Sequence, residues 1–270
     1  MDRKPVVAGR FYTDDPQELK IEIEKYVGER TKCAKPPYDR LVMLPHAGYM
    51  FSGGTCGKTL SEASLAPTVI LLGPNHSGLG APLSVWGQGC WEFPGGKLEV
   101  ADVLAKEIIE CGAGFVSNEA AHSREHSLEV LIPFLKYVNP KTRIVPICVS
   151  ERAPGVLKKA GDALAEIIAE SDDEITIVVS SDMSHFITAD QAKKLDSIAL
   201  EAVIRMDPEG LYSAVSSNDI SMCGVLPMTM GMHAVQKAGA SGGRLVEYTN
   251  SGKVTGDFES VVAYAGIIIS

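Results

Sequence analysis

Five apolar runs rich in β-branched residues recur along the chain: Leu41 to Leu44, Thr68 to Leu72, Ile144 to Val149, Ile175 to Ser180 and Val261 to Ile269. None alternates strictly between polar and apolar residues, so each reads as a strand covered on both faces. The segments between them carry helical spacing instead, as in Val100, Val103, Leu104 and Ile108, in Leu128, Leu131, Ile132 and Leu135, and in Val156, Ala160, Leu164, Ile167 and Ile168. Further helices are expected from Pro16 to Tyr26, from about Asp190 to Ile204 and from about Gly224 to Lys237. Strands alternating with helices predict an α/β fold, a layered sandwich with a central, largely parallel or mixed sheet flanked by helices. Pro133 is expected to kink its helix. The stretch from Leu83 to Leu98, with Trp86, Trp91, Pro94 and several glycines, lacks a helical period and reads as a hairpin or excursion.

No linker or internal repeat divides the chain, so residues 1–270 are read as a single domain. A chain of this length buries roughly three-quarters of its unfolded surface and needs no disulfide or metal to fold. Any metal is therefore expected to serve function. The six cysteines are scattered without a CxxC pair, the pattern of reduced thiols rather than of a disulfide framework. Lys and Arg number 25 against 34 Asp and Glu, a net charge of −9, and no basic run exceeds two residues. That balance argues against bulk attraction to nucleic acid or anionic lipid. No apolar stretch approaches the roughly 18 residues of a membrane helix, and Met1 to Val7 is charged and followed through Pro5 rather than apolar like a signal segment. The expectation is a cytoplasmic protein acting on a small molecule, with a homo-oligomer allowed.

Three of the six histidines fall just beyond apolar runs: His46 after Leu44, His76 after Leu72, His185 after Ser180. Ligands bind beyond the carboxyl ends of the strands in open α/β sheets. If those strands are neighbours, two neutral imidazoles can supply metal ligands while a third serves as acid or base, with Asp182 free to orient a ring or join the ligands. Cys223 is the candidate third ligand, because it precedes an expected helix whose amino-terminal dipole favours a thiolate. Two imidazoles and a thiolate suit iron, copper or zinc better than magnesium or calcium, and they leave room for water or substrate.

Other patterns carry less. Ser52-Gly53-Gly54-Thr55-Cys56-Gly57-Lys58-Thr59 is one residue away from a phosphate loop, but Ser52 stands where its first glycine belongs. Gly239-Ala240-Ser241-Gly242-Gly243 has the spacing of a nucleophile elbow, yet it follows a helix and precedes a strand, so it reads as a turn. His122 and His126 are four apart like zinc-binding helix histidines, but Ser123 replaces the needed glutamate, and a surface or supporting role is expected. Glu125, His126 and Glu129 read as polar residues opening a helix, with Glu125 or His126 able to reach the histidine crevice.

The sequence resembles the Memo family, whose members are similar in fold to class III extradiol dioxygenases. The resemblance is carried by Ala8-Gly9-Arg10-Phe11-Tyr12, Pro45-His46-Ala47-Gly48-Tyr49, Gly73-Pro74-Asn75-His76, Glu125-His126-Ser127-Leu128-Glu129, Ser180-Ser181-Asp182-Met183-Ser184-His185 and Cys223-Gly224, and it runs nearly end to end. It implies an extradiol-dioxygenase-like fold, a metal site at His46, His76 and Cys223, and an acid-base place for His185. The ring-cleaving relatives complete their site with a carboxylate where this chain offers Cys223, and a thiolate is softer and itself oxidisable. Catechol cleavage therefore does not transfer with the fold. The expected function is redox chemistry on a small substrate at an Fe(II) or copper centre, with zinc allowed. His185 would move protons, and Asp182 and Tyr49 would position the substrate. Two alternatives stand beside it: a non-enzymatic metal carrier or peptide-binding protein, and a zinc-dependent hydrolase.

Overall fold

The structure, a computed structural model, describes residues 2–30 and 36–270, so that Cys33 lies outside the described residues. In chain order the elements are α1 (Pro16–Val27), β1 (Leu41–Leu44), α2 (Tyr49–Glu62), β2 (Thr68–Pro74), β3 (Leu83–Val85), β4 (Cys90–Phe93), β5 (Gly96–Val100), α3 (Asp102–Glu110), β6 (Val116–Ser117), 3-10 turns at Ala120–His122 and Glu129–Leu131, α4 (Ile132–Val138), β7 (Arg143–Val149), α5 (Pro154–Glu170), β8 (Ile175–Ser180), β9 (His185–Ile187), α6 (Ala189–Ile204), α7 (Pro208–Ser217), α8 (Val225–Lys237), β10 (Gly243–Asn250), α9 (Gly252–Thr255) and β11 (Val261–Ile269).

The main path of the sheet runs β10-β11-β1-β8-β2-β7-β3-β6. Its centre, β1-β8-β2-β7, is parallel throughout, and β11 pairs antiparallel with β1 and β10. The fold is thus a mixed α/β arrangement, a large central sheet flanked by helices, in agreement with the strand and helix periods. The apolar runs lack alternation because both faces are covered, and every residue of β1 and β2 is buried. Helix α8 crosses one face, where Gly231 meets Leu41, Leu72 and Val179. Helix α2 covers the other, where Gly266 of β11 lies directly against Thr59.

The glycines of Ser52–Thr59 have a packing reason. Gly53 and Gly57, four apart and so on one face of α2, lie against Tyr26 at the end of α1. A Cβ at Gly53 would sit 2.6 Å from the Tyr26 ring, and one at Gly57 would run into its backbone. This segment is helix, not a phosphate loop.

Two local expectations change. Pro133 occupies the first turn of α4, where its missing N–H is not needed, so it starts that helix instead of kinking it. The preceding residues form a loop and a 3-10 turn, so Glu125 and His126 sit in an irregular loop and not on a helix. The excursion from Leu83 to Leu98 resolves into β3 and the β4–β5 hairpin, both attached to the edge of β7.

Candidate metal centre

Strand β8 lies between β1 and β2, with Leu44 beside Ser180 and Leu72 beside Val179. The loops after these three strands consequently open at one edge of the sheet. His46, His76 and Cys223 converge there, each offering a ligand atom within 4.8 Å of the others.

The tautomer of His46 is set by a relay. Ser180 Oγ donates to the Ser127 carbonyl at 2.6 Å, so its lone pair accepts from His46 Nδ1 at 2.7 Å. The lone pair of Nε2 is left facing Cys223 Sγ at 3.3 Å. Nitrogen and sulfur ligands at ~2.1 and ~2.3 Å from one ion stand roughly 3.4–3.6 Å apart at near-tetrahedral angles, so a small separation of the pair would bring it to the spacing of co-ligands. Burial, and after it the neighbouring His76 and His126, hold His46 well below the usual histidine range, so it is neutral.

His76 is oriented by Glu125, whose carboxylate accepts from His76 Nδ1 at 2.9 Å and from the His76 backbone N–H at 2.5 Å. The Glu125 side chain is fully buried and also accepts from the His126 and Ser127 amides. Burial opposes its charge, but the His76 bond and these amides outweigh burial and bring its carboxyl down to about 2. Burial likewise opposes a charged His76, and Glu125 outweighs it, so that histidine is raised. A carboxylate on Nδ1 leaves Nε2 for a metal, the usual arrangement behind a ligating histidine.

Cys223 is placed by a close approach. Gly224 backs onto Ser180 and Ser181, where a Cβ would meet the Ser181 side chain and lie 2.6 Å from the Ser180 carbonyl. The Gly224 N–H donates to Ser181 Oγ at 3.1 Å, and the Asp182 amide donates to Cys223 Sγ at 3.1 Å. The helix-dipole argument for a thiolate is corrected here: burial first, then Asp182, pushes the Cys223 thiol up. A coordinated cation is what deprotonates such a thiol.

Asp182, 4% exposed, receives the His46 amide on Oδ1 at 2.8 Å and keeps Oδ2 4.0 Å from His46 Nε2. Burial pushes its carboxyl up to about 7, against the pull of the His46 and Ala47 amides. His185 lies on β9 with Nδ1 donating to the Ser221 carbonyl at 3.0 Å, which leaves Nε2 as a base. Burial lowers its pKa. Phe186 beside it adopts φ +59° and is 76% exposed, a local backbone strain of the sort found around functional sites.

Not every anticipated residue reaches this edge. Tyr49 donates its hydroxyl to the Val130 carbonyl at 2.7 Å and packs among Tyr12, Tyr26 and Phe134, so the structure gives it a place in the core and no contact with the histidine cluster. His122 is fully buried against Trp86 and Trp91, not at the surface. Glu129 turns to the amino-terminal segment, binding Arg3, the Val6 and Val7 amides and Tyr12. His126 does reach the cluster, its ring 4.8 Å from His76 and 5.5 Å from His46, with Phe11 4.8 Å away on it. Ser180 and Ser127 were not anticipated. The signal for Ser180 was its place at the end of an otherwise apolar strand, with Ser181 after it; Ser127 lies in a turn and had none.

Fold and site together give an α/β protein with two histidines and a cysteine that could hold a metal ion at the carboxyl edge of its parallel strands. The chain belongs to the Memo family: the family profile described as Memo-like protein matches residues 3–268. A MEMO1 family protein of Aquifex aeolicus is 40% identical over 267 residues, covering 98% of each chain. Another from Methanopyrus kandleri is 36% identical and covers 99% of each. Among solved structures, an uncharacterized protein from Escherichia coli K12 aligns with a TM-score of 0.56 over 85% of this chain and 99% of its own, at 14% identity, a likeness of fold alone. Among the described residues no helix is long and apolar enough to cross a membrane.

Proposed function

We propose that this protein is a metal-dependent redox enzyme acting on a small substrate, with iron or copper held by His46, His76 and Cys223. The carrying observation is that both histidines have their Nδ1 atoms engaged, by Ser180 and by Glu125, so that the remaining donors face a common point with Cys223. A metal bound there would supply a Lewis-acid and electron-transfer centre with positions left for substrate. The residues of the chain do the rest. His185 Nε2 accepts a proton from the substrate and returns it. Asp182, raised by burial to about 7, holds or releases a proton beside the His46 ring near neutrality. His126 and Phe11 wall one side of the cluster. Cys56, Cys90, Cys111, Cys148 and Cys223 are all free thiols, which supports a reducing compartment such as the cytoplasm.

The test is metal analysis after anaerobic purification. Wild type should carry iron or copper near one equivalent, a His46→Ala/His76→Ala variant should lose it, and His185→Ala should keep the metal while losing turnover of an oxidisable substrate. Equal occupancy in wild type and the double variant would overturn the site. Zinc with no redox cycling would move the reading to a hydrolase.

A further inference from the structure

Phe186 occupies an unfavourable conformation beside the metal centre. In the antiparallel pair of β9 and β11, Ile187 stands opposite Val261 and His185 opposite Val262. Between those two pairs β11 advances one residue and β9 two, so Phe186 is the extra residue of a β-bulge. Its φ of +59° is left-handed, the conformation that glycine supplies at such bulges without steric cost. A phenylalanine there is strained. At 76% exposure it recovers little of that strain by burial. Among the described residues, the two other left-handed positions that are not glycine have ordinary reasons. Met206 is 3% exposed and packs in the core, and Asp219 is of a type that tolerates this region. Phe186 has neither reason.

The chain is held on both sides of the bulge. The His185 amide donates to Ser221 Oγ at 2.8 Å and its Nδ1 to the Ser221 carbonyl at 3.0 Å. Beyond the bulge, Thr188 caps α6 and the Ala189 amide donates to the Phe258 carbonyl at 2.9 Å. Strain of this kind persists only where the surroundings impose it, and it clusters where ligands are held. Ser221 is two residues from Cys223, whose sulfur receives the Asp182 amide at 3.1 Å. The segment that fixes His185 is thus the one that carries the cysteine ligand. The Phe186 ring stands edge to face with His185, their centres 5.8 Å apart. The bulge therefore keeps an uncovered aromatic ring next to the acid-base histidine.

We propose that Phe186 is a specificity-determining residue of the metal centre, and that the substrate is a small molecule with an apolar flank, which lies on the Phe186 ring while its polar end meets the donors of His46, His76 and Cys223. The proposal rests on the metal site proposed above and names the class of molecule it takes. Binding such a flank removes the exposed ring from water, the gain that the unliganded fold forgoes. A wholly polar substrate would give the ring no partner.

The experiment uses the whole protein, purified anaerobically with its metal, and two hydroxamic acids that share a metal-chelating head and differ in the tail. Titration calorimetry compares benzohydroxamate with acetohydroxamate. Wild type should favour benzohydroxamate by about tenfold or more. Phe186→Gly should bring that preference down to about threefold or less, with acetohydroxamate affinity held within about threefold of wild type. The ligand-free melting temperature of Phe186→Gly should be unchanged or raised, because glycine relieves the left-handed strain and no buried contact is lost; a ring kept for packing would give a lower one. An unchanged tail preference in Phe186→Gly, or a lowered melting temperature, would overturn the proposal and leave the metal centre standing. Failure of wild type to bind either hydroxamate would overturn the metal centre, and the proposal with it.

Discussion

Acidification should expose the cost of burying His122. Its ring is sealed under Trp86 and Trp91, with Nε2 donating to the Ser84 carbonyl at 3.0 Å and Nδ1 3.4 Å from Cys148 Sγ. Burial pushes it down to about 4, from 6.5 in the unfolded chain. Below 6.5 the unfolded chain takes up a proton that the fold refuses, so stability falls as pH falls, until the folded value is reached. Integrated from about pH 7 to about pH 5, this one group costs the fold about 2 kcal/mol. Urea unfolding of wild type and His122→Gln at both pH values isolates it, because the amide of Gln keeps the bond to Ser84 and does not titrate. The other histidines lowered by burial act in both proteins and cancel in the difference. The variant should therefore lose about 2 kcal/mol less than wild type on acidification. Equal losses in the two proteins would refute the assignment of a neutral, buried His122.

Ser180→Ala should weaken metal binding by about 10–100-fold, as loss of an orienting group behind a ligand does, without unfolding the protein; competition with a chelator measures it, and unchanged affinity would remove the relay from the site. Gly224→Ala should displace the Cys223 loop from Ser180 and Ser181, so that metal content drops while the far-ultraviolet circular dichroism holds. Glu129→Ala should cost about 3–5 kcal/mol, because Arg3 is left as an uncompensated buried charge, and a change below about 1 kcal/mol in urea unfolding would show that the pair is replaceable.

The sheet was legible because its central strands are covered on both faces, and a doubly buried strand has no choice but to be apolar throughout. The ends of those strands were legible for the same reason, since polar residues appear only where cover stops, and His46, His76 and His185 stand there. Pro133 was misplaced because a helix that begins with a 3-10 turn has no periodicity to mark its start. Tyr49 was misplaced because sequence proximity to His46 says nothing about direction: as the first residue of α2 its ring turns inward to Tyr12 and Phe134.

Sequence by itself determined which residues could hold a metal, since only imidazole, thiolate and carboxylate side chains have the chemistry, and it determined the layered α/β class through the period of its apolar residues. Only the tertiary structure decided that β8 separates β1 from β2, and thereby that His46 and His76 flank the same point. It also decided that Glu125 serves His76 while Glu129, four residues on, serves Arg3. Strand order and side-chain direction depend on contacts between residues from 49 to 136 positions apart, and no local pattern carries them.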